Sequence, residues 1–170
     1  HGQSEGKILN ALIYSEIILA IEKLYGPLYG IIAHSLGGMA ATFAMEQLNC
    51  TNKKVVIIAP ATETSSSLNG FFHLLKLSPS LRPHVEVAIT KVRGNDVAWY
   101  SSARAVQHIQ SKVLWIHDKD DTICVYKDTL PIQKMELPHV EFMITKGLGH
   151  NKIYRDAQVQ KTIMKFLDEK

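Results

Sequence analysis

From Asn10 onward the apolar residues Ile13, Ile17, Ala20, Ile21 and Leu24 recur at steps of three and four, which is one face of an amphipathic helix. Asn10 is placed to cap its start, and Gly26-Pro27 to stop it. A second stripe, Ile153, Ala157, Ile163, Met164 and Leu167, predicts a C-terminal helix with Asn151 as its cap. Both stripes require a partner surface. Four short runs, Leu28–Ala33, Lys54–Ala59, Lys112–His117 and Val140–Thr145, are rich in Val and Ile and apolar on both faces. That pattern suits strands of a parallel sheet covered by helices on each side. Between the first two runs, Leu36–Leu48 is apolar almost all round, so a well-buried helix is expected there.

The order of elements predicts an α/β architecture: a mostly parallel sheet of about four strands flanked by helices. Residues 1–61 and 111–170 supply this core, and residues 62–110 form a helical insertion in a single domain. Within the insertion Ser65–Ser67 are placed to cap a helix carrying Leu68, Phe71, Phe72, Leu74 and Leu75. Ser78-Pro79 are placed to start another, with Leu81, Val85, Ile89 and Val92 on one face. Two readings stay open for this segment: a pocket wall or lid, or a small subdomain with its own core. Lys76, Arg82, Lys91, Arg93 and Arg104 read as its solvated face.

At 170 residues, 46% of them apolar and 21% charged, the chain has the composition of one globular domain rather than a disordered segment. Its net charge of +3 comes from scattered lysines and arginines with no basic run, so nucleic acid is not an expected partner. Apolar runs such as 55–61 are too short to cross a bilayer. Cys50 and Cys124 make neither a disulfide framework nor a metal-ligand spacing, which favours a reduced, cytoplasmic setting. The chain opens on His1 rather than Met and lacks a signal pattern, so processing, or a longer parent, is expected.

The chemistry concentrates in Gly30-Ile31-Ile32-Ala33-His34-Ser35-Leu36-Gly37-Gly38-Met39. An apolar run ends at a serine, two glycines follow, and a helix starts at once. A serine hydroxyl is a weak nucleophile at neutral pH and must be exposed beside a base. A sharp strand-to-helix turn exposes it, with small residues needed two before and two after, here Ala33 and Gly37. The same turn aims the Leu36 N–H, an unpaired donor at a helix start, to where an oxyanion would form.

This stretch resembles the nucleophile elbow Gly-x-Ser-x-Gly of the α/β-hydrolase superfamily, with Ala33 in place of the first glycine. Two further segments resemble that superfamily in the order Ser, acid, His. His117-Asp118-Lys119-Asp120-Asp121 looks like His-Gly-x-x-Asp, which puts Asp121 at the acid position and leaves Asp120 as the alternative. Lys146-Gly147-Leu148-Gly149-His150 looks like the Gly-x-Gly-His segment that supplies the general base. The opening His1-Gly2-Gln3-Ser4-Glu5-Gly6 looks like the stretch after the family's fourth sheet strand, so only the C-terminal part of the fold is covered. The elbow strand would then be an open edge, a surface for association with another chain or a second copy.

The resemblance implies a serine hydrolase acting on a small-molecule ester, thioester or similar acyl bond, without cofactor. Ser35 would be nucleophile, His150 base and Asp121 its orienting acid, with Leu36 N–H at the oxyanion. Peptidase, acyltransferase and haloperoxidase chemistry share such a triad. A non-catalytic binding protein of the same fold, or an inactive fragment, is the alternative. His34, Phe71 and Phe72 are candidate substrate contacts, although His34, like His117, also reads as local structure. His1, His73, His84, His108 and His139 show no paired spacing, and with no His-Glu-x-x-His pattern no metal is expected. Cys124, near the proposed acid, reads as packing.

Overall fold

The structure, a computed structural model, describes residues 5–6 and 8–169, without the side chains of Val92 and Arg93. The stretch from His1 to Ser4, and with it most of the segment likened to the stretch after a fourth strand, lies outside the described residues. Helix α1 spans Ala11–Tyr25, strand β1 Gly30–His34, helix α2 Leu36–Leu48 and strand β2 Lys54–Ile58. Helices α3 (Thr64–Leu74), α4 (Arg82–Arg93) and the short α5 (Ser102–Ala105) follow. Then come β3 (Lys112–Asp118), α6 (Leu130–Lys134), β4 (Val140–Thr145), α7 (Gly149–Lys152) and α8 (Ala157–Asp168). Among the described residues the four strands form one parallel sheet in the order β1-β2-β3-β4.

Alternation along the strands divides the core between two layers. Val55, Ile57, Val113 and Trp115 pack with Met45, Ala103, Val106 and Ile132 on the face covered by α2, α5 and α6. Val56, Ile58, Leu114 and Ile116 pack with Val159, Ile163 and Phe166 of α8 on the other. Both strands of the sheet's centre are thereby apolar on both sides, as a doubly covered parallel sheet requires. Helix α2 is buried from Gly38 to Met45. Gly38 is where backbone closeness matters: a Cβ there would lie 2.7 Å from Pro60 Cβ and 3.1 Å from Ile57 Cγ2. At Gly37 a Cβ would meet only Tyr14, at 3.7 Å, so the steric demand expected of Gly37 falls on its neighbour.

Several expectations are corrected. Helix α1 is capped by Asn10, whose side chain accepts the Ile13 N–H at 2.9 Å, but its apolar stripe is not its buried face. Ala11 and Ser15 are buried, while Ile17, Ile21 and Leu24 are exposed. Small residues let α1 approach α2 closely, and the Ser15 hydroxyl is satisfied by donating to the Leu12 carbonyl. Helix α8 begins after Asp156, which accepts from Gln158 N–H and Val159 N–H, and not after Asn151. Ile153 opens a separate 3-10 turn, and Met164 is exposed.

The insertion does not build a core of its own. Helix α3 has no buried residue, and Ser65–Ser67 sit inside its first turn rather than at its cap. Pro79 opens a single 3-10 turn, and α4 starts later, at Arg82-Pro83. Ile89 of α4 packs against the small cluster of Ala11, Met39, Phe43 and Tyr100. Arg104 is not simply solvated: its two terminal guanidinium nitrogens donate to Glu46, its Nε donates to the Trp99 carbonyl, and the group lies 4.2 Å over the Trp99 ring.

The sheet is finished unevenly. β1 pairs on one side only among the described residues, and Ile32 is 57% exposed.

Candidate functional site

Three loops meet above the C-terminal ends of the strands. The first is the turn from β1 into α2. Ser35 adopts φ 56° and ψ −124°, a left-handed conformation that costs about 1–3 kcal/mol for a residue with a side chain. The surroundings impose it. Ser35 N–H donates to the Ile58 carbonyl at 3.1 Å, and the Ser35 carbonyl accepts Gly38 N–H at 2.9 Å and Ala61 N–H at 3.1 Å. The hydroxyl is thereby carried above the sheet end, and Leu36 N–H, at the first position of α2, has no helical acceptor behind it.

The second loop follows β3. Asp121 N–H bonds the Asp118 carbonyl, and Asp121 Oδ1 accepts Ile123 N–H at 2.8 Å and Cys124 N–H at 2.9 Å. The side chain is fully buried, and its free oxygen, Oδ2, lies 2.8 Å from His150 Nδ1. The third loop follows β4. Gly147 and Gly149 both take positive φ, 87° and 60°, so the chain reverses around Leu148 and presents His150 at the start of α7. His150 Nε2 lies 3.0 Å from Ser35 Oγ. A carboxylate facing Nδ1 places the ring proton there, which leaves a lone pair on Nε2 toward the hydroxyl. Ser35, His150 and Asp121 are therefore one hydrogen-bonded series.

The other aspartates serve the scaffold. Asp118 Oδ2 accepts the Thr145 hydroxyl at 2.6 Å and Leu148 N–H at 3.1 Å, while Oδ1 accepts Asp120 N–H. Burial raises its pKa, but Thr145 and the N–H groups of Asp120, Gly149 and Leu148 outweigh that and hold it below the usual carboxylate range. Asp120, the alternative acid, accepts Gly147 N–H at 3.0 Å instead of facing His150. These two carboxylates tie the β3 loop to the β4 loop, a role with no local sequence signal because the partners lie some 30 residues away.

His117 is fully buried beneath the acid loop. Its Nε2–H donates to the Cys124 carbonyl at 2.7 Å and its Nδ1 accepts the Thr129 hydroxyl at 3.0 Å. Burial pushes its pKa below the ordinary histidine value, so it sits as a neutral brace. Cys124 Sγ is 4.0 Å from Ser35 Oγ, and burial together with the Asp121 charge pushes its thiol up to about 11. At neutral pH it is not a competing thiolate. His139 bonds the Val106 carbonyl, away from the site.

His34 lies against His150, with ring centroids 4.6 Å apart, and its Nε2–H donates to the His150 carbonyl at 3.0 Å. Neither Phe71 nor Phe72 lines the cavity that opens beside the elbow. Phe71 is 49% exposed, and Phe72 stacks under Arg82. That cavity is apolar, about 290 Å³ in volume, and lined by Leu36, Met39, Phe43, Ala61, Ile89 and Tyr100 among others. Its wall joins α1, α2, α3, α4 and the stretch before α5, which periodicity within single elements does not reveal. Among the described residues no group of three His, Cys, Asp or Glu is arranged to hold a metal ion, and no helix is long and apolar enough to cross a membrane.

No family model matches the sequence, and no curated protein does. Solved structures match over nearly the whole chain. A monoacylglycerol lipase from Paleococcus ferrophilus aligns at 19% identity and TM-score 0.66, over 99% of this chain and 78% of the lipase. An esterase from Pyrococcus furiosus aligns at 17% and 0.66, over 98% and 66%. A bromoperoxidase from Bacillus anthracis aligns at 14% and 0.64, over 99% and 78%. At these identities the likeness establishes the architecture, and that architecture is the α/β-hydrolase fold.

Proposed function

On the premise of an α/β-hydrolase fold, we propose that the chain is a serine hydrolase cleaving an ester, thioester or related acyl bond. One observation carries the reading: Ser35 Oγ, His150 Nε2 and Nδ1, and Asp121 Oδ2 follow one another at 3.0 and 2.8 Å. Ser35 Oγ attacks the acyl carbon while His150 Nε2 takes the hydroxyl proton, and Asp121 holds Nδ1–H and stabilises the imidazolium. The carbonyl oxygen, now negative, receives the Leu36 N–H. Collapse breaks the bond to the alcohol or thiol, which leaves with the proton from Nε2. Water then repeats the sequence on the acyl-serine, releasing the acid and restoring Ser35.

The acyl portion enters the cavity beside Leu36, whose apolar walls favour hydrocarbon over charged groups. The segment from Thr64 to Arg93 acts as the outer wall, or lid, of that cavity. Hydrolysis of a p-nitrophenyl ester series tests the proposal. Turnover by the wild type that falls by on the order of 10⁴-fold or more in Ser35→Ala is expected. Equal turnover by the two proteins would overturn it.

Among the described residues β1 has no strand on its outer side, and an open strand edge favours another strand as occupant. A second copy offers the same edge, and antiparallel pairing about a two-fold axis would cover both Ile32 side chains. Sedimentation is expected to show a dimer. A monomer at high protein concentration would contradict this pairing.

A further inference from the structure

The residue immediately before the elbow serine belongs to β1, whose neighbours are mostly aliphatic, yet it is a histidine with a defined task. A carbonyl oxygen can only accept, so the 3.0 Å contact fixes the proton on His34 Nε2, donating to the His150 main chain. Its ring is tilted by 42° against the His150 ring, and Tyr154, one turn further on, meets the His34 ring edge-on at 4.9 Å. The His150 ring is therefore held at three places: Asp121 at Nδ1, Ser35 at Nε2, and His34 against its face and its backbone.

We propose that His34 is a positioning residue for His150: its N–H anchors the carbonyl of the base, and its ring limits rotation of the imidazole, so that Nε2 stays aimed at Ser35. This rests on the hydrolase reading above, in which His150 is the base. It also explains why a half-buried histidine occupies a position where turn geometry asks only for a side chain that clears the elbow. The groups facing His34 that titrate are His150, Tyr154 and, beyond His150, Asp121. Burial, and the nearness of a second imidazole, lower its own pKa, so at neutral pH it anchors without adding charge beside the base.

Three variants of the full chain separate the parts of this role. His34→Gln keeps an N–H donor of similar reach, His34→Phe keeps the ring and loses the donor, and His34→Ala loses both. The readouts are the rate of Ser35 modification by a fluorophosphonate, kcat and KM on a p-nitrophenyl ester, and the imidazole ¹⁵N–¹H signals of His150. His34→Phe should slow labelling and lower kcat about threefold to tenfold at unchanged KM, in line with one lost hydrogen bond. His34→Gln should recover most of that loss, and His34→Ala should fall below both. The Nδ1–H signal of His150 should broaden in His34→Phe and stay sharp in His34→Gln. Labelling of His34→Phe at the wild-type rate, or equal losses in the Gln and Phe variants, would overturn the proposal. If wild-type Ser35 takes no label, the hydrolase reading fails. The His150 signal then decides the anchoring alone, since unchanged spectra across all three variants overturn it.

Discussion

The two flanks of the site are built differently. On the β3–β4 side every loop is cross-braced: Asp118 and Asp120 hold the loop bearing His150, and His117 and Thr129 hold the loop bearing Asp121. On the other side α3 buries nothing, and Leu74 and Leu75 stand in solvent. Side chains whose separation must be fixed within tenths of an ångström are seated on dense packing and buried hydrogen bonds. The cavity proposed for the acyl group has a fixed floor, Met39, Phe43 and Tyr100 of the core, and an outer wall, Ser67 and Ile89, on weakly held helices. The contrast suits a site whose chemistry is constant and whose substrate is admitted by movement of its wall.

The largest effect should come from disturbing the braced flank at its carboxylate. Asp121→Asn preserves volume but cannot fix the Nδ1–H tautomer, so ester turnover should fall on the order of 10³–10⁴-fold with an unchanged thermal melt. Turnover within tenfold of wild type would show that Asp121 does not orient His150. Next in size is the packing contrast itself. Ile57→Ala opens a void in the fully buried central strand and should cost about 2–5 kcal/mol, read from a urea midpoint. Leu74→Ala, on the open helix, should stay within about 0.5 kcal/mol. Similar costs at both positions would erase the distinction between the flanks.

A smaller effect is expected with pH. His117 and His34 bind a proton less readily folded than unfolded, because burial disfavours the charged ring. Below about pH 6.5, the unfolded value, the unfolded chain takes up protons that the folded chain refuses, so stability declines until the folded imidazoles protonate too. Asp118, held low, keeps its contribution until the pH falls below about 3.8. The urea midpoint should be lower at pH 5.5 than at pH 7.5. A flat profile would mean that His117 is not a neutral buried brace.

Much of the fold was legible because its signals are local. Leu36–Leu48 and Val140–Thr145 have the same bounds in sequence and structure: burial of Gly38–Met45 leaves α2 an apolar run, and Phe142-Met143-Ile144 mark β4 although only Val140 of that strand is buried. Ser35, Asp121 and His150 could be picked out because each follows a strand directly, and parallel strands bring their ends to one rim. Helix α1 misled because the small pair Ala11 and Ser15 won the contact with α2 over the larger Ile17, Ile21 and Leu24. The braces formed by Asp118, His117 and His34 were invisible because each closes on a partner set by tertiary structure. Phe71 and Phe72 looked like pocket lining by composition alone, and the cavity beside the elbow formed instead where α1, α2, α3, α4 and the stretch before α5 converge.

Peptide mapping after treatment with a fluorophosphonate tests the central claim most directly. A single adduct on Ser35 in the wild-type chain, absent or slowed by at least a hundredfold in His150→Ala, is the result expected from a hydroxyl activated by that imidazole. An adduct on Ser35 that forms equally fast without His150, or one that forms elsewhere and spares Ser35, would contradict it.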